Sequence, residues 1–233
     1  MRCLQQRIPF KQVINNQMPL KEELEIAGNW LFRKRSWLPL ILYPYAVAVI
    51  YFYIEPYYHY INNFAWSLFS LSLTLSGLLI RVVTIGYSPG GTSGRNTKTQ
   101  IAEYLNTTGM YSIVRHPLYV GNFMMWFGLF MYTGIWWFII SCCLVYWIYY
   151  ERIMLAEEEF LRKKYGDRYE CWAKQTPLFI PNFLKWRSPD LAFSTKTILK
   201  REYNGLFALS ASFSIINGVA NLFHNGKFTL NTF

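Results

Sequence analysis

Five long apolar runs, separated by polar segments, dominate the chain. They cover residues 37–54, 64–86, 118–132, 135–155 and 205–223. A transmembrane helix needs about 20 predominantly apolar residues, and every run except the short third one approaches that length. The fifth run is the most polar because it contains several serine and asparagine side chains. The pattern predicts an all-α integral membrane bundle with about five transmembrane helices.

The third and fourth runs are joined by only two residues, Thr133 and Gly134. So short a connection predicts a tight antiparallel helical hairpin. Gly128 and Gly134 would let helices approach closely, as small residues do in membrane bundles. The fourth helix is expected to continue beyond the membrane until Gly166 ends it.

The composition is typical of a membrane protein. Hydrophobic residues make up 53% of the 233 residues and charged residues only 15%, whereas about a quarter of a soluble domain is charged. The four cysteines have no metal-ligand spacing, so they are interpreted as reduced structural thiols and no metal centre is expected. They are Cys3, Cys142, Cys143 and Cys171.

The net charge of +10 is unevenly distributed among the loops. Lysine and arginine number seven in residues 1–36, three in 87–117 and ten in 156–204, but none occurs in 55–63 or 133–134. Because positive loops stay cytoplasmic, the N-terminus is predicted inside and the C-terminus on the opposite side. This topology accounts for the basic character without a nucleic-acid partner.

These features divide the chain into three parts. Residues 1–36 are predicted to form a cytoplasmic or interfacial segment, with an interfacial helix within 19–35. Residues 37–204 form the membrane core. Residues 205–233 add one more transmembrane helix and a short tail.

A candidate site begins where the third helix starts. Thr107, Thr108 and Gly109 are typical of a turn, and Pro117 suits the first position of a helix. The free N–H groups of that first turn, with Arg115 and His116 beside them, favour binding of a carboxylate or phosphate. The residues alone leave a second interpretation open, in which Arg115 and His116 only anchor the helix at the interface.

A second ionisable cluster lies at the far end of the fourth helix. Glu157, Glu158 and Glu159 follow the apolar run, and Glu157 shares a helix face with Ile153 and Leu161. A carboxylate on an apolar stripe is poorly solvated and favours a cationic or hydroxylated ligand. The alternative is a solvated helix exit, which is the preferred interpretation for Glu159.

The loop 86–96 is rich in glycine and serine and contains Arg95. Such a loop can form a backbone nest for a phosphate, with Arg95 assisting. A flexible connector is the competing interpretation.

Taken together, these motifs resemble a known family. The first group comprises Gly109, Tyr111, Arg115, His116, Pro117, Tyr119 and Gly121. The second comprises Glu157, Glu158, Leu161, Gly166, Tyr169, Pro177, Ile180 and Pro181, with Gly77 and Arg81 upstream of both groups. Their order and spacing resemble the isoprenylcysteine carboxyl methyltransferases and the related phospholipid methyltransferases over roughly residues 75–183.

The resemblance implies S-adenosylmethionine as the methyl donor. It also implies a cytoplasmic cap over the donor, formed by the segment after the fourth helix. The residues that it places around the donor are Tyr111, His116, Pro117, Leu118, Tyr119 and Glu157, with Glu103, Tyr104, Leu105 and Asn106 upstream.

The acceptor implied by the resemblance is a membrane lipid or a lipidated group. The carboxyl methyltransferases carry a substrate-binding arginine where this chain has Ile153, so Arg152 and Arg95 become the substrate-binding candidates. A phospholipid, an anionic lipid carboxylate or phosphate, and a prenylcysteine-like group all stay open. Arg115 and Glu158 are the catalytic candidates, and positioning is favoured over proton abstraction.

Two other function classes compete with methyl transfer. NADPH-dependent sterol-type membrane reductases carry a similar Arg-His-Pro-x-Tyr segment but usually have asparagine where this chain has Leu118. A non-catalytic membrane scaffold would need neither Arg115 nor Glu157. The pair of glutamates favours the methyltransferase interpretation over the reductase.

Overall fold

The computed structural model describes residues 19–89, 100 and 102–230, and this part of the chain is helical without a β-strand. The predicted all-α fold is therefore confirmed. The α-helices are α1 (Leu20–Lys34), α2 (Leu42–Ile61), α3 (Phe64–Gly86), α4 (Met110–Ile113), α5 (Pro117–Tyr132), α6 (Trp136–Tyr165), α7 (Asp167–Gln175) and α8 (Thr195–Asn225). Two short 3₁₀ helices lie at Leu38–Ile41 and Phe183–Lys185.

Four helical segments are long and apolar enough to cross a membrane. They are Leu38–Glu55, Phe64–Gly86, Trp136–Tyr165 and Thr195–Asn225. The predicted third span is α5, whose 16 residues rise about 24 Å, less than the hydrocarbon core of about 30 Å. The chain is thus an integral membrane protein. Four of its helices are long and apolar enough to cross the membrane, and α5 is a shorter apolar helix beside them.

Helices α3 and α5 approach each other through glycines. A side chain at Gly77 would collide with the backbone of α5 at Gly121, and one at Gly128 would collide with Thr74 of α3. The predicted close helix approach at Gly128 is therefore confirmed, and its partner is α3. Gly134 forms the turn with a φ of 71°.

One end of the bundle is closed by polar contacts between distant segments. The indole of Trp66 donates to the Met131 carbonyl at 2.9 Å, and the Tyr58 hydroxyl donates to Asn221 at 2.7 Å. These bonds join α2, α3, α5 and α8. The candidate site lies at the other end, where α1 packs on the distal part of α6 through Gly28.

Helix α6 continues for 30 residues and ends at Gly166, whose φ is 52°, as the sequence predicts. Helix α1 likewise confirms the helix expected within 19–35.

Helix α8 begins earlier than the predicted fifth span. Its first residue is Thr195, and the Ser194 side chain accepts the N–H of Thr197 at 3.3 Å as an N-cap. The Ser194 N–H also donates to the Gly86 carbonyl at 2.9 Å, which fixes the start of α8 at the end of α3. The predicted fifth apolar run, 205–223, therefore lies within a longer helix whose first ten residues, 195–204, are more polar.

Candidate active site

A cavity of about 950 Å³ lies among the helix ends opposite the 133–134 turn. It is walled by the end of α1, the distal part of α3, Gln100, Ala102, residues 104–106, the start of α5, α6 and the start of α8. We call this space the site cavity. Tyr169 and Trp172 of α7 cover part of it. We call α7 and residues 177–187 the roof.

The roof is tied to the segment that precedes α5. The N–H of Arg115 donates to the Pro177 carbonyl at 2.8 Å, and the N–H of Asn182 donates to the Ile113 carbonyl at 2.9 Å. The indole of Trp172 donates to the Tyr111 carbonyl at 3.1 Å. The predicted cap is therefore held to α4 and Arg115 by two main-chain bonds and one indole bond.

Glu158 contacts both Arg115 and His116, which precede α5. The Arg115 guanidinium donates to Glu158 Oε1 at 2.8 Å, and Nε2 of His116 lies 3.2 Å from the same oxygen. Burial and the nearby Glu158 charge raise the pKa of the Tyr169 hydroxyl, so this phenol stays neutral. Glu158 thus holds Arg115 and His116 in place from outside the cavity lining.

Glu157 faces the site cavity and is the acceptor for a tyrosine. The Tyr119 hydroxyl donates to Glu157 Oε1 at 2.8 Å, while Arg35 lies 3.7 Å from that oxygen. Tyr146 donates to the carbonyl of Tyr119 at 2.9 Å and so steadies the first turn of α5. Burial, with a contribution from the Glu157 charge, raises the pKa of Tyr111. This part of the cavity wall therefore places the Glu157 carboxylate beside the phenols of Tyr119 and Tyr111.

Nine of the ten residues that the sequence places around a donor line the site cavity. Glu103 is the exception, since it is exposed and points elsewhere. Arg115 lines the cavity, whereas Glu158 stands behind it. Arg152 lies outside the lining and donates to the Ile148 carbonyl of its own helix at 2.9 Å. Arg95 lies outside the described residues.

Several lining residues escaped the sequence analysis. Arg81 was noted only for the resemblance, yet its guanidinium binds both carboxylate oxygens of Glu202 at 2.8 and 2.6 Å and also donates to Asn122. The remaining unpredicted polar lining residues are Arg35, Ser36, Gln100, Lys196, Thr197, Lys200, Arg201 and Asn204. The sequence does contain a signal for this wall. Ser194 is a favourable N-cap residue, and the four-residue spacing of Lys196 and Lys200 places both lysines on one helix face.

The lining carries an excess of positive charge. Six lining side chains are lysine or arginine, and two are carboxylates, Glu157 and Glu202. Glu202 is bound to Arg81, so these two charges offset each other. The remaining excess of positive charge favours anionic ligands.

The fold and the cavity define a helical membrane protein with a polar, cation-rich site at one end of the bundle. Residues 64–168 match the model of a family described as phospholipid methyltransferase. The match covers α3, the first motif, the hairpin and both site glutamates. It confirms the predicted resemblance to the membrane methyltransferases over this segment.

Three relatives extend the comparison. A protein-S-isoprenylcysteine O-methyltransferase of Schizosaccharomyces pombe is 38% identical over 77 residues, which are 33% of this chain and 33% of that protein. The cobalt-zinc-cadmium resistance protein CzcN of Cupriavidus metallidurans is 29% identical over 66% of this chain and 69% of its own length. The nickel-cobalt-cadmium resistance protein NccN of Alcaligenes xylosoxydans xylosoxydans is 30% identical over 50% of this chain and 53% of its own. No solved structure matches the chain significantly.

The names of two relatives refer to metals. Among the described residues, no group of three or more histidine, cysteine or acidic side chains is arranged to hold a metal ion.

Proposed function

We propose that this protein is an S-adenosylmethionine-dependent methyltransferase whose acceptor is a membrane lipid or a lipidated group. The observation that carries the proposal is the site cavity itself. It collects nine predicted donor residues from both halves of the motif, although 38 residues separate Tyr119 from Glu157. The family match over residues 64–168 supports the same activity.

The residues present fit the donor. Glu157 is the lining carboxylate available for its ammonium or ribose hydroxyl groups, because Glu202 is already bound to Arg81. Arg35 and Arg115 supply cations for a carboxylate, and Tyr111 supplies a buried aromatic wall. A cavity of about 950 Å³ lies at the upper end of the range for small-molecule sites, with room for a second group.

The chain contributes alignment rather than proton transfer. When bound, S-adenosylmethionine supplies a methyl group already activated on its sulfonium. Arg115, held by Glu158, orients the acceptor, and Tyr169 and Trp172 of the roof cover part of the site cavity. A carboxylate or phosphate acceptor needs no general base, so Glu158 acts as a positioning residue.

We further propose that the site cavity faces the cytoplasm, with the N-terminus inside and the C-terminus outside. The loops rich in lysine and arginine supply α1, the roof and the start of α8, all at the site end of the bundle. The positive-inside tendency supports this orientation.

Two measurements test the proposal. Purified protein in detergent is titrated with S-adenosylmethionine, and separately with NADPH, by calorimetry. It is then incubated with methyl-labelled donor and total membrane lipid, and labelled products are identified by mass. We expect donor binding, no NADPH binding and a labelled lipid; failure to bind the donor would refute the proposal.

A matched pair of variants sharpens the test. Glu157→Gln removes the carboxylate that accepts from Tyr119, so we expect donor affinity to fall by roughly tenfold or more, as for hydrogen bonds to charged groups. Glu151→Gln is the control, because Glu151 is exposed on the same helix outside the site cavity. Equal losses in the two variants would contradict the assignment of Glu157.

A further inference from the structure

The first turns of α8 lie beyond the family match, yet they line the site cavity. Their lining residues include Lys196, Lys200 and Arg201. The donor residues come instead from residues 104–119 and from α6. Helix α8 therefore brings a second, cationic wall to the cavity, from a part of the chain that the phospholipid methyltransferase match does not include.

The cations occupy one side of the helix. Lys196 and Lys200 are four residues apart, and Arg201 follows the lining residue Thr197 at the same spacing, so all face the cavity together. The neighbouring face is apolar and exposed, with Leu199 at 72% and Leu206 at 51% exposure. Helix α8 thus presents a cationic stripe beside an apolar stripe.

The height of the cationic stripe follows from the helix length. The 31 residues of α8 rise about 46 Å, whereas the hydrocarbon core is about 30 Å thick. The distal end of α8 is fixed at the opposite end of the bundle by the bond from Tyr58 to Asn221. Its first turns therefore reach the level of lipid head groups.

The carboxylate of this wall is bound to α3 rather than to Lys196 or Lys200. Glu202 is the lining acid in these turns of α8, and it accepts two bonds from Arg81 of α3. The side chains of Lys196 and Lys200 are both exposed. An anionic group can approach them without meeting an unpaired carboxylate.

We propose that Lys196, Lys200 and Arg201 bind the anionic head group of the acceptor, with its apolar chain along Leu199 and Leu206. The ligand is an amphiphile that carries a phosphate or a carboxylate. This inference rests on the proposed methyltransferase function, and it assigns acceptor recognition to a helix outside the matched segment. Arg115, on the facing wall, would contact the same head group.

The experiment measures binding of four soluble probes to the purified full-length protein in detergent. Dihexanoyl phosphatidic acid is compared with dihexanoyl phosphatidylcholine, and N-acetyl-S-farnesylcysteine with its methyl ester. Each pair differs in anionic charge, so the pair with the larger difference identifies the phosphate or the carboxylate as the source of the anion. S-adenosylmethionine is titrated in parallel to monitor the donor site.

The test variant is Lys196→Gln/Lys200→Gln/Arg201→Gln, and its control is Lys164→Gln/Arg168→Gln/Lys174→Gln. The control removes the same charge from exposed positions outside the site cavity. We expect the test variant to weaken binding of the preferred anionic probe by at least about tenfold, since cations near a membrane surface attract anionic head groups. Donor binding and the control variant should stay near the wild type.

The double variant Lys196→Gln/Lys200→Gln changes only exposed side chains, so it guards against misfolding of the triple variant. An intermediate loss of anionic-probe affinity supports the proposal. The proposal is overturned if the wild type binds the anionic probes and their net-neutral counterparts equally, or if test and control variants lose affinity equally. If the wild type does not bind S-adenosylmethionine, the methyltransferase function itself is refuted.

Discussion

Arg81 of α3 and Glu202 of α8 form a two-pronged ion pair at the wall of the site cavity. The guanidinium Nε and Nη2 lie 2.8 and 2.6 Å from the two carboxylate oxygens. The third contact of Arg81 is with Asn122 of α5. One arginine therefore joins three helices at the level of the site, and it couples α8 to the segment that matches the methyltransferase family.

Glu202→Ala leaves Arg81 without its carboxylate. We expect the free energy of unfolding to fall by on the order of 2 kcal/mol, less than the ~3–5 kcal/mol for a fully buried pair, because the Arg81 side chain keeps 21% exposure. Denaturant unfolding in detergent, followed by circular dichroism, gives the value. The double variant Arg81→Met/Glu202→Met should lose less, and a larger loss in the double variant would contradict the pairing.

Gly77→Ala tests the close approach of α3 and α5. The added methyl group would overlap the Gly121 carbonyl and the backbone of Met125, so we expect a loss of ~1–3 kcal/mol from overpacking. Gly205→Ala is the matched control, because its methyl group would meet Glu202 at an ordinary 3.5 Å. That variant should gain up to ~1 kcal/mol of helix stability. Similar losses in both would argue against a tight α3–α5 contact.

Glu158→Gln keeps the shape of the side chain but removes the charge shared by Arg115 and His116. We expect kcat for methyl transfer to fall by up to ~100-fold through misalignment, with a smaller change in donor affinity. The neighbouring Glu159→Gln is the control, because Glu159 pairs with Lys21 and Arg162 instead. Steady-state kinetics and calorimetry separate the effects. An unchanged kcat for Glu158→Gln would remove Glu158 from the site.

Single cysteines test the proposed orientation. In a background without the native cysteines, Lys174→Cys and Asn63→Cys place exposed thiols near the roof and at the opposite end. A membrane-impermeant maleimide added to intact cells should label Asn63→Cys and spare Lys174→Cys until the cells are opened. The reverse pattern would invert the topology and place the site cavity outside.

Much of the fold could be predicted from local features of the sequence. Apolar runs located the membrane helices, and Gly166 marked the end of α6, because these features depend on neighbouring residues alone. The short span α5 was also visible, since Thr133 and Gly134 fix its end. The start of α8 was missed because residues 195–204 are polar. Hydropathy identifies residues that lie within the membrane, and it does not indicate that a helix continues beyond it.

The site was predictable only in part, for a physical reason. Motif spacing indicated that residues near Tyr119 and Glu157 belong together, but ion pairs depend on distant segments meeting. Arg81 and Glu202 are 121 residues apart, and nothing local indicates their contact. The partner of Gly128 was likewise invisible, since a glycine shows that a helix comes near but not which one.

The main-chain bonds between the roof and the segment before α5 have a mechanical consequence. Residues 113–115 are held by Pro177 and Asn182 on one side and continue directly into the turn that carries His116 on the other. Lifting the roof would pull Arg115 away from Glu158. Ligand exchange past the roof would therefore also disturb the alignment of Arg115 at the site cavity.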